Sequence, residues 1–173
     1  SGRDAVACEA VVVAREVLRR LPDLDALRLL LSTLPTMSGS PRARTAAVWL
    51  AAEFCHEAPL DACDALRVTA SRFAFEAPST KVEALALAAK LRLALHGVEA
   101  QAQQQPEAAL APHAARVEAL VTYVFRLGEF DPDWDVRDRS RLYASVAPSP
   151  AATSGDGTGA VAADTERAVA LGT

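Results

Sequence analysis

The side chains best suited to chemistry in this sequence gather around Cys55, His56, Asp61 and Cys63. Thiolates, imidazoles and carboxylates of this kind could hold zinc, which takes four such ligands in a tetrahedron. The spacing works against it: adjacent helical residues point about 100° apart, and no CxxC or HxxxH pattern brings four ligands together. A packed helix accounts for these residues better. A cysteine nucleophile with His96 or His113 as base is weaker still, because those histidines fall at a helix end and beside a loop, and nothing supplies an oxyanion hole. Asp133 and Asp135 could share acid-base work, but next to Pro132 and ahead of an apolar periodic run they read as turn and N-cap groups. The stretch Ser154-Gly155-Asp156-Gly157-Thr158-Gly159 lacks the GxxxxGK[ST] order of a phosphate cradle. No catalytic residue, metal or cofactor is expected.

The segment from Asp135 to Arg141 carries more. Asp135 and Arg139 are spaced i,i+4, and Asp138 and Arg141 i,i+3, so opposite charges can pair along one helix face. Arg137 and Arg139 can also fork onto carboxylates or carbonyls of a neighbouring repeat.

The elements that must position these residues are helices. Of the 173 residues, 51% are hydrophobic but only 5% aromatic, so a core must be built from Ala, Leu and Val. Alanine favours helices and close helix packing over sheets. With 18 Lys plus Arg against 22 Asp plus Glu, the formal charge of -4 offers no general attraction for nucleic acid, though a local basic surface could still meet an anionic membrane. Three cysteines, an odd number in helix-like apolar surroundings, suit a reducing cytosol. No secretory leader or bilayer-length apolar run is evident. The opening Ser1-Gly2-Arg3-Asp4 runs straight into a helical pattern, as expected of a piece of a longer polypeptide.

Apolar residues recur at helical spacing at Val6, Ala10, Val13, Val17 and Leu21 behind an Asp4 cap, until Pro22 closes the run. Asp23 caps a second helix through Leu27, Leu30, Leu31 and Leu34. Ser40-Pro41 opens a third, with Ala43, Ala47, Leu50 and Phe54. Pro59 breaks that run and Asp61 caps a fourth, with Ala62, Leu66, Ala70 and Phe73. From Pro78 a fifth is apolar on two sides, Val82, Leu85, Ala89 and Leu93 on one and Leu87, Leu91 and Leu95 on the other, so it expects neighbours on both. The Gln-rich stretch at about 97–112 reads as a loop. Val117, Leu120, Val121, Val124 and Leu127 mark a sixth helix, and a seventh runs from about Asp135 to Val146. The Ser, Pro, Gly and Ala-rich residues 148–173 read as a linker or insertion, with room for a short helix around Glu166 to Leu171. From Pro41 to Pro78 the step is 37 residues (78 − 41), within the roughly 35 to 45 of HEAT and related helical repeats. The expectation is an all-α solenoid over residues 1–147.

Three segments, in order, resemble the trunk of the β-adaptins, nearest to that of adaptor protein complex 3. They are Arg42-Ala43-Arg44-Thr45-Ala46-Ala47-Val48-Trp49-Leu50-Ala51-Ala52-Glu53-Phe54, Lys81-Val82-Glu83-Ala84-Leu85-Ala86-Leu87-Ala88-Ala89-Lys90-Leu91, and Trp134-Asp135-Val136-Arg137-Asp138-Arg139. Ala52 stands where that family usually has Gly and Phe54 where Tyr is common, as expected of a divergent member.

The resemblance implies a large subunit of a heterotetrameric vesicle coat adaptor, paired with a second large, a medium and a small subunit. It implies cargo sorting from Golgi or endosomal membranes toward lysosome-related organelles, a cytoplasmic protein peripheral to those membranes, recruitment by a small GTPase, and association with clathrin. It also implies packing roles. Trp49 is expected mainly in the core, Glu53 to bond a neighbouring repeat, Lys90 to close the Ala-Lys-Leu motif, and Asp135, Arg137, Asp138 and Arg139 to fix repeat packing. The competing readings are an armadillo-type transport scaffold, which would favour an Asn ladder where this sequence has no Asn, and a helical enzyme, which would need a pocket of convergent, perturbed side chains.

Overall fold

The computed structural model describes residues 2–37, 40–100, 110 and 112–147. Seven α-helices and no strand occur among them: α1 (Gly2–Arg20), α2 (Leu24–Ser32), α3 (Pro41–Glu53), α4 (Pro59–Ala70), α5 (Pro78–Ala100), α6 (Ala114–Glu129) and α7 (Trp134–Val146). Short 3-10 turns at Leu34–Thr36 and Phe73–Phe75 join α2 to α3 and α4 to α5.

Side-chain caps set the starts of α2, α3 and α7. The Asp23 carboxylate accepts from Asp25 N at 3.0 Å and Ala26 N at 3.1 Å, satisfying two amides that have no intrahelical partner. Ser40 Oγ accepts from Ala43 N ahead of Pro41, and Asp133 Oδ1 accepts from Asp135 N and Val136 N. Two expected caps are absent. Asp4 lies inside α1, which begins at Gly2. Asp61 lies in the first turn of α4, where Pro59 is the first residue and Ala58 precedes it without a side-chain cap; its carboxylate instead takes Arg28 Nε at 3.3 Å.

The odd-numbered helices pack side by side in chain order, α1 on α3, α3 on α5 and α5 on α7, while α2, α4 and α6 form a second layer against them. This alternation is an α-solenoid. Ala43, Ala46, Ala47, Ala84 and Ala88 are fully buried and allow close approach of α3 and α5, while Leu50, Leu66, Leu85, Leu87 and Leu91 fill the space between layers. α5 lies at the centre, touching α3, α4, α6 and α7, which accounts for its two apolar sides.

Two sequence expectations change. α5 continues through His96 to Ala100, four residues into the expected loop, with Gly97 and Val98 inside the helix despite their low propensity; residues 101–109 and 148–173, with the expected loop core and linker, lie outside the described residues. The stripe Val6, Val13, Val17 and Leu21 on α1 is also exposed, at 72%, 62%, 51% and 71%. Leu18 and Val11 pack into the core instead, and the Arg15 guanidinium lies over the Trp49 ring of α3.

Candidate functional site

The side chains around Cys55 do not converge on a centre. Cys55 is fully buried, His56 is exposed on the turn after α3, and Asp61 and Cys63 lie on α4. Among the described residues no group of three or more His, Cys, Asp or Glu is arranged to hold a metal ion. Burial pushes the Cys63 thiol up to about 12, so it is protonated at neutral pH and a poor nucleophile.

The polar chemistry lies instead in the interior, where three buried cations join elements distant in sequence. Arg44, on the first turn of α3, donates through Nε and Nη2 to the Glu76 carboxylate, with Nε to Oε1 at 2.9 Å and to Oε2 at 2.8 Å. Its Nη1 donates to Leu34 O at 2.7 Å and Met37 O at 3.1 Å. Both charged side chains are 5% exposed, so the pair is enclosed and each of the three guanidinium nitrogens has an acceptor. Lys81, on the first turn of α5, donates to Asp131 Oδ2 at 2.6 Å and stands 5.5 Å from the centre of the Phe73 ring. Arg92, further along α5, lies 2.9 Å from Glu118 Oε1 and donates to Thr122 Oγ1 at 2.8 Å and Ala147 O at 3.1 Å. Its guanidinium covers the Phe125 ring at 4.9 Å. No buried side-chain nitrogen or oxygen among the described residues lacks a partner.

The residues singled out from sequence lie mostly outside this interior. Trp49 is half-buried against the core, with the Arg15 guanidinium 5.6 Å from its ring centre. Lys90 donates to Ala52 O at 2.9 Å and meets Glu53 Oε2 at 3.5 Å, so α3 and α5 are joined there. Asp135 accepts from Arg139 Nε at 3.0 Å, and Asp138 from Arg141 at 3.3 Å, both within α7 and exposed. Arg137 donates from Nη1 to the carbonyls of Asp131, at 2.7 Å, and Pro132, at 2.9 Å, and so ties the α6–α7 turn to its own helix rather than to another repeat. Arg15, Lys90 and Arg139, from three odd-numbered helices, all act electrostatically on Glu83 of α5, whose carboxyl is nonetheless pushed above its ordinary value by burial.

In the sequence Arg44 and Lys81 stand out only within longer segments, and Arg92, Glu76 and Glu118 carry no spacing that marks them. A charged residue at a heptad-like apolar position was the available signal; its partner, up to 55 residues away, depends on helix stacking.

The enclosed ion pairs thus join helices and connections that lie far apart in sequence. Residues 1–150 match the protein family described as the adaptin N terminal region. The AP-3 complex subunit beta-1 of Mus musculus is 31% identical over 145 residues, covering 82% of this chain and 11% of the mouse protein. The AP-3 complex subunit beta of Schizosaccharomyces pombe is 29% identical over 150 residues, covering 87% of this chain and 19% of the yeast protein. The fold superposes with a TM-score of 0.64 and 28% identity on 79% of this chain and 24% of a chain in a homology model of the full-length AP-3 complex in an intermediate open conformation. The sequence therefore spans between a tenth and a quarter of the relatives it matches, and with that match running the length of the helical stack, the chain belongs to the adaptin family.

Proposed function

We propose that the chain is a scaffold segment of a large β subunit of a heterotetrameric vesicle coat adaptor of the AP-3 type. The single observation that carries this is the agreement of the fold, over 79% of this chain, with a chain in a homology model of the AP-3 complex at a TM-score of 0.64 and 28% identity. Its work is mechanical: the layered helices fix the spacing of surfaces to which a second large, a medium and a small subunit attach, and it performs no catalysis. Recruitment by a small GTPase, contact with clathrin, and service on Golgi or endosomal membranes toward lysosome-related organelles belong to the same reading. So does peripheral attachment, in keeping with the absence, among the described residues, of any helix long and apolar enough to cross a membrane.

The test is affinity purification of the tagged full-length protein from its own cells at near-physiological salt, with mass spectrometry of what is retained. Recovery of another large adaptin with one medium and one small adaptor subunit supports the reading. Recovery of transport receptors without adaptor subunits would replace it with the armadillo-type scaffold.

A further inference from the structure

Three large aromatic side chains project into solvent from two connections of the stack. Phe75, on the 3-10 turn between α4 and α5, is 89% exposed; Phe130, in the turn between α6 and α7, is 80% exposed; and Trp134, the first residue of α7, is 68% exposed. The core does not use these rings, since Phe73 and Phe125 are the buried aromatics of the same two segments. The connections lie side by side. Lys81, in the first turn of α5, donates to Asp131, next to Phe130, at 2.6 Å, and its Nζ stands 5.5 Å from the centre of the Phe73 ring. All three exposed rings therefore share the edge of the stack at which α5 and α7 begin.

Each exposed ring also has an arginine three or four residues away: Arg72 for Phe75, Arg126 for Phe130 and Arg137 for Trp134. Arg72 and Arg126 form no ion pair among the described residues, and Arg137 bonds only the carbonyls of Asp131 and Pro132. The acids of the same connections are mostly engaged. Glu76 and Asp131 are enclosed with Arg44 and Lys81, Asp133 caps α7, and Asp135 is held by Arg139, which leaves Glu129. In a chain of formal charge -4, this edge presents rings and guanidinium groups.

We propose that this edge is a membrane-contact surface, at which Phe75, Phe130 and Trp134 enter the headgroup region of a phospholipid bilayer while Arg72, Arg126 and Arg137 meet lipid phosphates. Aromatic rings settle at that depth, and a guanidinium bonds phosphate oxygens in pairs. The pairing of each ring with a cation fits a surface that offers phosphate above hydrocarbon, as a bilayer does at every point of contact. The proposal deepens, and rests on, the peripheral attachment in the adaptor reading above, and it assigns that attachment to a particular edge.

The test uses the full-length protein in the assembly retained with it. Photoreactive Phe75→benzoylphenylalanine and Phe130→benzoylphenylalanine variants are bound to vesicles of phosphatidylcholine and phosphatidylserine and irradiated, and mass spectrometry identifies what each position joins. A phospholipid adduct at both positions is expected. Adducts to a protein subunit instead, no adduct while the assembly is on the vesicles, or no binding to the vesicles overturns the proposal. The subunits present are identified in the same spectra, so loss of the adaptor reading, seen as absence of adaptor subunits, is distinct from loss of the lipid adducts. The combined variant Phe75→Ser, Phe130→Ser and Trp134→Ser changes only exposed positions. It is expected to lower vesicle affinity by about tenfold or more with the same subunits recovered; unchanged affinity overturns the proposal as well.

Discussion

Arg44 is the residue on which most depends, because it is enclosed, charged and shared between two connections and a helix. Removing one member of a buried pair leaves the other charged and unpaired in a site closed to water, a loss of about 3–5 kcal/mol. Arg44→Met is therefore expected to lower the urea midpoint sharply. Arg44→Met with Glu76→Leu recovers only part of that loss, since the carbonyls of Leu34 and Met37 still lack their donor. Full recovery in the double variant would mean that the carbonyl bonds contribute little. Glu83 gives a second outcome with a definite sign. Its folded value lies above the unfolded 4.5 because burial outweighs its cationic neighbours, so the folded state holds the proton more tightly. Stability contributed by the protonated form is present below about 4.5 and falls as pH rises through the window above it. Glu83→Gln should leave stability near pH 4.5 little changed and raise it at neutral pH; a loss at neutral pH would contradict this. Cys63, with its thiol pushed up to about 12, should be alkylated by iodoacetamide far more slowly in the folded chain than in urea, and equal rates would show that it is not held as described. The Asp135–Arg139 and Asp138–Arg141 pairs along α7 were legible in sequence by their spacing. The enclosed pairs were not, because Glu76 and Asp131 meet their cations only when helices 32 and 50 residues apart are stacked.

At the scale of elements, the helices were legible wherever a proline or an acidic or hydroxyl cap marked a boundary, as at Asp23, Ser40 and Asp133. They were less so at the end of α5, which runs on through Gly97 and Val98 against their propensity. The direction each apolar face takes was hardest to read. The Val6–Val13–Val17 stripe on α1 is as regular as the one on α3, yet it is exposed, while Leu18 enters the core and the Arg15 guanidinium lies over Trp49 of α3. The α5–α6–α7 contact shows how tightly these elements are fitted. A Cβ added at Gly128 would stand 2.9 Å from both Leu85 Cδ2 and Ser140 Cβ, and Ser140 Oγ bonds Phe125 O at 2.7 Å. Overpacking there amounts to about 1–3 kcal/mol, against a gain of about 1 kcal/mol in helix propensity. Gly128→Ala should therefore lower the melting temperature in a calorimetric scan; a rise would show that α7 can move away from α6 without loss.

For the whole molecule, among the described residues, four odd-numbered helices in one layer and three even-numbered helices in the other make a short segment of solenoid in which neighbouring helices cover one another. The family and its stacked architecture were legible because short motifs in a fixed order survive where overall identity is near 31%. The most direct measurement of the central claim is a single-particle reconstruction of the assembly purified with the full-length protein. The account predicts α1–α7 as consecutive helices of a large-subunit solenoid, with the exposed Val6, Val13 and Val17 face of α1 covered by a neighbouring helix. Density placing these helices apart from any stack, with that face open to solvent, would contradict it.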